Sequence, residues 1–334
     1  MRCLRVGLVW VALPCLALAQ KKGQGPLSGY DKSAQATVVH DTIVYVDPDD
    51  SSQKVTEVLP GHEFVIIQHN GPWVKVFANT DAPERADEDQ QPEFGNDQPT
   101  PDSGWIKDKG IVTPGMAGGD EILYGSAADY EDQASRPHGP KDAATEAKLL
   151  YRRVYEYWPD SPLAPQAAWR SADIRWQMEK AANSDLPSAK EQEAFLRPQL
   201  YEGEMKRIMK YWPGTKWAFL AAYDLLDNKV CGDWQGLPKC PEMEINLYLR
   251  YASQYPESPK APEAYYNAVY RQGVLVTMYQ VDGQEKRTDD AVKRTVGMAA
   301  EMKQRFGSGD FTDRAQSIAF RVKQGISVYG SDRE

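Results

Sequence analysis

Trp158-Pro159-Asp160-Ser161-Pro162-Leu163-Ala164-Pro165-Gln166-Ala167 recurs as Tyr255-Pro256-Glu257-Ser258-Pro259-Lys260-Ala261-Pro262-Glu263-Ala264. A looser copy runs from Trp212-Pro213-Gly214-Thr215 to Ala221, and the weakest from Phe306-Gly307-Ser308-Gly309 to Ala315. Each copy suits a tight corner between two antiparallel helices. The aromatic residue ends the first helix by packing inward, and the proline or glycine after it blocks continuation. Asp160-Ser161, Glu257-Ser258 and Thr215 can cap the second helix, and Pro162 or Pro259 suits its first turn. Ahead of the first corner, Ala147, Leu150, Tyr151, Val154, Tyr155 and Trp158 fall at i, i+3, i+4, i+7, i+8 and i+11, one apolar helical face. Beyond the corners, Ala164, Ala167, Ala168, Ser171 and Ala172 align with Ala218, Ala221, Ala222, Leu225 and Leu226, and with Ala261, Ala264, Tyr265, Ala268 and Val269. Residues 143–334 are therefore expected to form an all-α array of helical hairpins.

These corners resemble tetratricopeptide-like (TPR) repeats of exported proteins, especially the helical lipoprotein of the outer-membrane β-barrel assembly machinery and the periplasmic cell-division coordinators. The resemblance covers more than half of the mature chain and implies binding of an envelope protein or peptide. The copies lie further apart than the usual repeat of about 34 residues. Longer helices or insertions are expected near Asn183 to Pro198 and Asp282 to Asp290.

Upstream the pattern changes to short strands. Thr42-Ile43-Val44-Tyr45-Val46, Phe64-Val65-Ile66-Ile67 and Trp73-Val74-Lys75-Val76-Phe77 are β-branched and aromatic, with Pro60-Gly61 and Asn70-Gly71-Pro72 as turn formers. So many strands within 36–113 predict a small barrel. Leu59-Pro60-Gly61-His62-Glu63-Phe64-Val65, Gly71-Pro72-Trp73-Val74-Lys75-Val76 and Gly104-Trp105-Ile106 followed by Lys107 to Val112 resemble, in order, the strands of bacterial SH3 (SH3b) domains. The family's usual asparagine-valine-arginine opening is replaced by Ile43-Val44-Tyr45. The fold class read from the chain is multidomain: a small all-β SH3-like barrel plus an all-α tetratricopeptide-like array. An acidic, proline-rich insertion at 79–103 interrupts the barrel as a solvated loop, with a calcium or basic-partner site as the alternative. Residues 114–142 read as a linker in which Asp120 to Gln133 can form a short helix.

Arg2 and Arg5, the apolar stretch Val6 to Leu18 and Ala17-Leu18-Ala19 form a secretory signal peptide over 1–19. Residues 20–35 follow as a flexible leader. Cys15 raises a lipid anchor as a rival, but Pro14 precedes it where a lipoprotein signal has a small residue. The expected location is exported: periplasmic or secreted, with outer-membrane association as a further option. Loss of the two arginines takes the formal charge from −9 to −11, which argues against nucleic acid as a partner. No later segment is long and apolar enough to span a membrane.

Cys231 and Cys240 remain in the mature chain. Export and an even count favour a disulfide, with reduced thiols or half of a metal site as alternatives. His40, His62, His69 and His138 share no ligand motif, and no metalloprotease, nucleophile-elbow or phosphate-loop pattern occurs. No cofactor, metal site or catalytic residue is assigned, and the chain reads as a non-enzyme. Binding candidates are aromatic. Trp73 and Trp105 follow barrel turns and suit either a barrel core or a ligand platform. Tyr266 and Tyr270, with Tyr265, suit a groove on a second helix. Trp176 and Tyr279 add rings beyond what the seams require. The functional expectation is a non-catalytic envelope adaptor whose array holds a protein or peptide and whose barrel meets peptidoglycan or a second protein. A component of an outer-membrane assembly complex is the alternative, and a cell-wall hydrolase ranks third.

Overall fold

The computed structural model describes residues 34–81 and 102–330. The signal peptide, all of the leader but residues 34 and 35, and most of the acidic insertion lie outside the described residues, and Gln35 already belongs to the first strand. The N-terminal part is a seven-stranded antiparallel sheet: β1 (Gln35–Val38), β2 (Thr42–Tyr45), β3 (Lys54–Val58), β4 (Glu63–Asn70), β5 (Trp73–Phe77), β6 (Ser103–Lys107) and β7 (Ile111–Val112). Their order is β3-β2-β6-β5-β4-β1-β7, and the sheet is not closed, since β3 and β7 form its two edges. This corrects the expectation of a complete barrel. The alternation of each strand sends Val44, Val74, Val76, Phe64 and Ile106 to one buried face, where they form the sheet's core.

Nine α-helices follow among the described residues: α1 (Gly119–Ser135), α2 (Ala143–Tyr157), α3 (Ala164–Ser184), α4 (Gly203–Tyr211), α5 (Lys216–Asp224), α6 (Lys239–Gln254), α7 (Ala261–Val281), α8 (Glu285–Phe306) and α9 (Asp310–Lys323). They pair as four hairpins, α2/α3, α4/α5, α6/α7 and α8/α9, with α1 laid against α2. None of the helices among the described residues is long and apolar enough to cross a membrane.

Three corners share one backbone geometry. Trp158, Trp212 and Tyr255 close α2, α4 and α6 at φ/ψ of −127°/71°, −127°/53° and −124°/63°. In each, the ring residue's N–H donates back four residues and its carbonyl accepts from Ser161, Thr215 or Ser258. The hydroxyls then hold the next helix: Ser161 accepts from Leu163 N (3.2 Å), Ser258 from Lys260 N (3.1 Å) and Thr215 from Ala218 N (3.2 Å). The fourth corner turns instead on Gly307, at φ 72°. All fifteen aligned second-helix positions in the first three hairpins are buried. Long α7 and α8 account for the wide spacing after Tyr255, so 282–284 is only a short turn and no insertion is present there. The wide spacing earlier comes from irregular chain at 185–202 and 227–238. These two segments join each other, Gly232 N to Glu191 O and Asp233 N to Lys190 O, both 3.1 Å. The disulfide Cys231–Cys240 closes the second of them. Buried Glu244 braces the same loop, accepting from Cys231 N (2.9 Å) and Trp234 Nε1 (3.2 Å) and pairing with Arg271 (2.5 Å).

The sheet meets the array at α2. Gly61, at φ 81°, lies so close to that helix that a Cβ would stand 2.6 Å from both Leu149 Cβ and Leu150 N. Beside it Arg153, 2 % exposed, donates to Gly61 O at 2.9 Å and pairs with Asp81 and Glu156, with Glu63 at 3.6 Å. His62 Nδ1 lies 2.9 Å from Asp81. Burial alone would raise Asp81, but the His62 hydrogen bond and Arg153 outweigh it and hold the carboxyl below its ordinary value.

Gly61→Ala should destabilise the chain by at least about 2 kcal/mol, from left-handed strain and overlap with α2 together; denaturant unfolding with an unchanged midpoint would contradict this packing. Replacing Cys231 and Cys240 by serine should cost about 2–3 kcal/mol, the loop-closure value for so short a ring. Thermal unfolding of the oxidised chain against the double variant measures it.

Candidate functional site

On the outward side of the sheet, strand alternation collects the residues that the buried face excludes. Tyr45 pairs in register with Trp105, and Trp105 with Lys75, so the three form a row across β2, β6 and β5. The next row holds Lys107 opposite Trp73. Lys75 Nζ lies 5.9 Å from the Trp105 ring centre and Lys107 Nζ 5.7 Å from that of Trp73, within cation–π range. Tyr45 meets Trp73 edge-on at 5.7 Å. Lys107 also pairs with Asp50 at 2.7 Å. The two tryptophans thus differ: Trp73, 9 % exposed, is largely covered by its neighbours, whereas Trp105 is half-buried with one lysine beside it. The face presents the Trp105 ring with the Lys75 ammonium beside it, suited to stacking against a ligand's planar or C–H face.

The rings of the array are committed differently. Tyr124, Trp169, Tyr223 and Tyr266 occupy equivalent places on α1, α3, α5 and α7, and each reaches the hairpin that follows. Trp169 tilts on Trp217 at 5.4 Å and donates Nε1 to Asp224 at 3.2 Å. Tyr223 lies under Lys260 Nζ at 5.2 Å, donates to Glu263 at 3.0 Å and accepts from Asn267 at 3.2 Å. Tyr266 tilts on Phe311 at 5.6 Å. Tyr124 meets Tyr151 edge-on at 5.2 Å and packs in one cluster with Leu163. The second helices are thereby laced into one layer, and α1 supplies its first rung. The segment read as a linker is in this respect part of the array.

The three rings expected to line a groove are each packed against another ring. Tyr265 is buried against Phe306, Tyr266 is half-buried in the rung just described, and Tyr270 lies half-buried at 6.4 Å from Trp234. Trp176, 1 % exposed, fills the core and donates Nε1 to Asp227 at 3.1 Å, while Tyr279 is buried with its hydroxyl on Glu242. These placements share a cause: long second helices need extra rings to fill their seams. Among the described residues no group of three or more His, Cys, Asp or Glu side chains is placed to hold a metal ion. His40 instead contacts the Lys109 carbonyl, and His62 serves the junction with α2.

No protein-family model matches the chain, and no curated protein matches it.

Lacing has an electrostatic cost at Asp224. Burial foremost, with Asp173 and Asp227 nearby, pushes its carboxyl up to about 7, against the opposing hydrogen bond from Trp169. The folded chain therefore keeps this proton between about pH 4 and 7, where the unfolded chain has lost it, so stability falls as pH rises through that window. Asp224→Asn keeps an acceptor for Trp169 and removes the titration. It should match the parent near pH 4 and exceed it at pH 8 by about 2–4 kcal/mol, read from urea unfolding at the two pH values.

Proposed function

We propose that the chain is a non-catalytic adaptor of the cell envelope: its helical array holds a protein or peptide, and the outer face of its sheet meets cell-wall material or a second protein. The observation that carries this reading is the lacing of four hairpins and α1 into one continuous helical layer. Stacked hairpins gain contact area with every repeat, which suits them to extended partners. In this reading the hairpins are tetratricopeptide-like, as the three matching corners suggest. The open seven-stranded sheet is taken as a variant of the bacterial SH3 fold that keeps its strand order around Trp73 and Trp105 and adds edge strands. The disulfide is compatible with export into an oxidising compartment.

The junction at Arg153 joins the two surfaces through buried contacts, so removing the sheet to test the array would leave a buried arginine without its Asp81 partner. Substitutions in the full chain avoid this. Photo-reactive residues placed at Arg207, Arg250 and Lys293, exposed positions on α4, α6 and α8, should yield a discrete protein adduct in living cells. Adducts only from a probe at Lys75 would overturn the array's role. Trp105→Ala should weaken co-sedimentation with insoluble cell wall by roughly the 2 kcal/mol of a hot-spot ring while leaving the melting temperature unchanged. Undiminished co-sedimentation would move wall binding off this face.

A further inference from the structure

Helices α6, α7 and α8 leave a cleft of about 430 Å³ between them. Its floor is apolar, formed by Ile245, Leu275 and Ala291, all buried. Its polar groups divide into two sets. At one end everything is engaged: Arg287 donates to Glu242 at 2.6 Å and to the Tyr279 hydroxyl at 2.9 Å, and that hydroxyl donates to Glu242. The other end is different. α7 and α8 are joined by a short turn and run antiparallel. Gln272, seven residues before Tyr279, is therefore level with Arg294, seven residues after Arg287, about 10 Å from the closed end.

Three groups at this open end lack partners. Gln272 is 3 % exposed, yet its Oε1 accepts no hydrogen bond. An unsatisfied buried acceptor costs about 1–3 kcal/mol, so a donor arriving from the cleft is favoured. Asp290 and Arg294 stand one turn apart on α8, the spacing at which opposite charges normally pair. Neither makes an ion pair or hydrogen bond among the described residues, and both line the cleft.

We propose that the open end binds a free α-amino acid with an apolar side chain. Its carboxylate lies on the Arg294 guanidinium, its ammonium bridges Asp290 and Gln272 Oε1, and its side chain rests on Ile245 and Leu275. The fit follows from charge and shape. A single cation and a single anion one turn apart match a zwitterion, and the planar guanidinium matches a carboxylate. Asp290 repels a multiply charged anion such as phosphate, and the apolar floor offers nothing to a sugar's hydroxyls. A volume of this size with few convergent polar groups is that of a small-molecule site. The site lies on the array and does not depend on the adaptor reading.

The test is calorimetric titration of the full chain with L-leucine, 4-methylpentanoate and 3-methylbutylamine, the latter two lacking the ammonium and the carboxylate. Leucine should bind saturably, and each analogue at least about tenfold more weakly. Asp290→Asn should weaken leucine without affecting 4-methylpentanoate, and Arg294→Gln should weaken leucine without affecting 3-methylbutylamine. Gln272→Leu should weaken leucine while leaving the melting temperature at or above that of the parent, since it removes the unsatisfied acceptor. Lys293→Gln, an equal change of charge on the neighbouring position, should bind as the parent does. Absence of saturable leucine binding, analogues as tight as leucine, or parental leucine affinity in both the Asp290 and Arg294 variants would each overturn the site.

Discussion

A ring on one hairpin laid against the next is the contact on which the array depends. Hairpins of this kind bury a stripe of small residues internally, at Ala167, Ala221 and Ala264, but small residues alone do not fix how one hairpin sits on its neighbour. The rung does, because it combines directionless apolar burial with a directional bond. Trp169 stacks on Trp217 and also aims Nε1 at Asp224; Tyr223 packs under Lys260 and also bonds Glu263 and Asn267. Apolar contact favours approach, and the hydrogen bond selects one register. The cost is local: the Trp169 rung holds a carboxylate where water cannot fully reach it.

The junction between sheet and array obeys a different rule. Arg153 is shared by Glu63, Asp81 and Glu156, the last of which Arg152 also engages, and it is almost wholly removed from water. Desolvating such a cluster consumes most of what its attractions supply, so its net contribution to stability is small. Its value lies in exclusivity. A sheet docked elsewhere on α2 would leave the guanidinium with Glu156 of its own helix but without Asp81, and Gly61 is what allows the close approach that brings Asp81 into reach. Both junction partners come from the sheet side, Gly61 before β4 and Asp81 after β5, so β4 and β5 must be correctly paired before the clasp can close.

Much of the helical part was legible because its signals are local. The corner motifs specify backbone geometry within ten residues, and the hydroxyls of Ser161, Thr215 and Ser258 accept from backbone N–H groups two or three residues further on. The central strands were legible for the same reason. β1 and β3 were not: Gln35 to Val38 is too short to show a period, and Lys54 to Val58 is largely exposed and charged, as befits an edge. Helix α1 was legible as a short helix, but it buries only Gly119, Leu123 and Ala127, too narrow a stripe to mark it as part of the array, although Tyr124 stands where Trp169, Tyr223 and Tyr266 stand in later repeats. Its role could have been found by extending the repeat alignment one hairpin upstream. Exposure of individual rings was beyond the sequence, because whether Trp73 or Trp105 is covered depends on Tyr45 and Lys107 from other strands. The cleft is less legible still, drawing on residues from Glu242 to Arg294 that no local pattern relates.

Three of the four corners share one geometry, whereas the connections from one hairpin to the next differ: 185–202 is long and irregular, 227–238 is clamped by a disulfide, and 282–284 is a bare turn. Variation is thus segregated from the parts that determine packing. A hairpin in this arrangement is an interchangeable unit, bounded by a fixed hinge inside and an adjustable joint outside. A joint can therefore be long, as 185–202 is, without altering the geometry of the corners on either side of it.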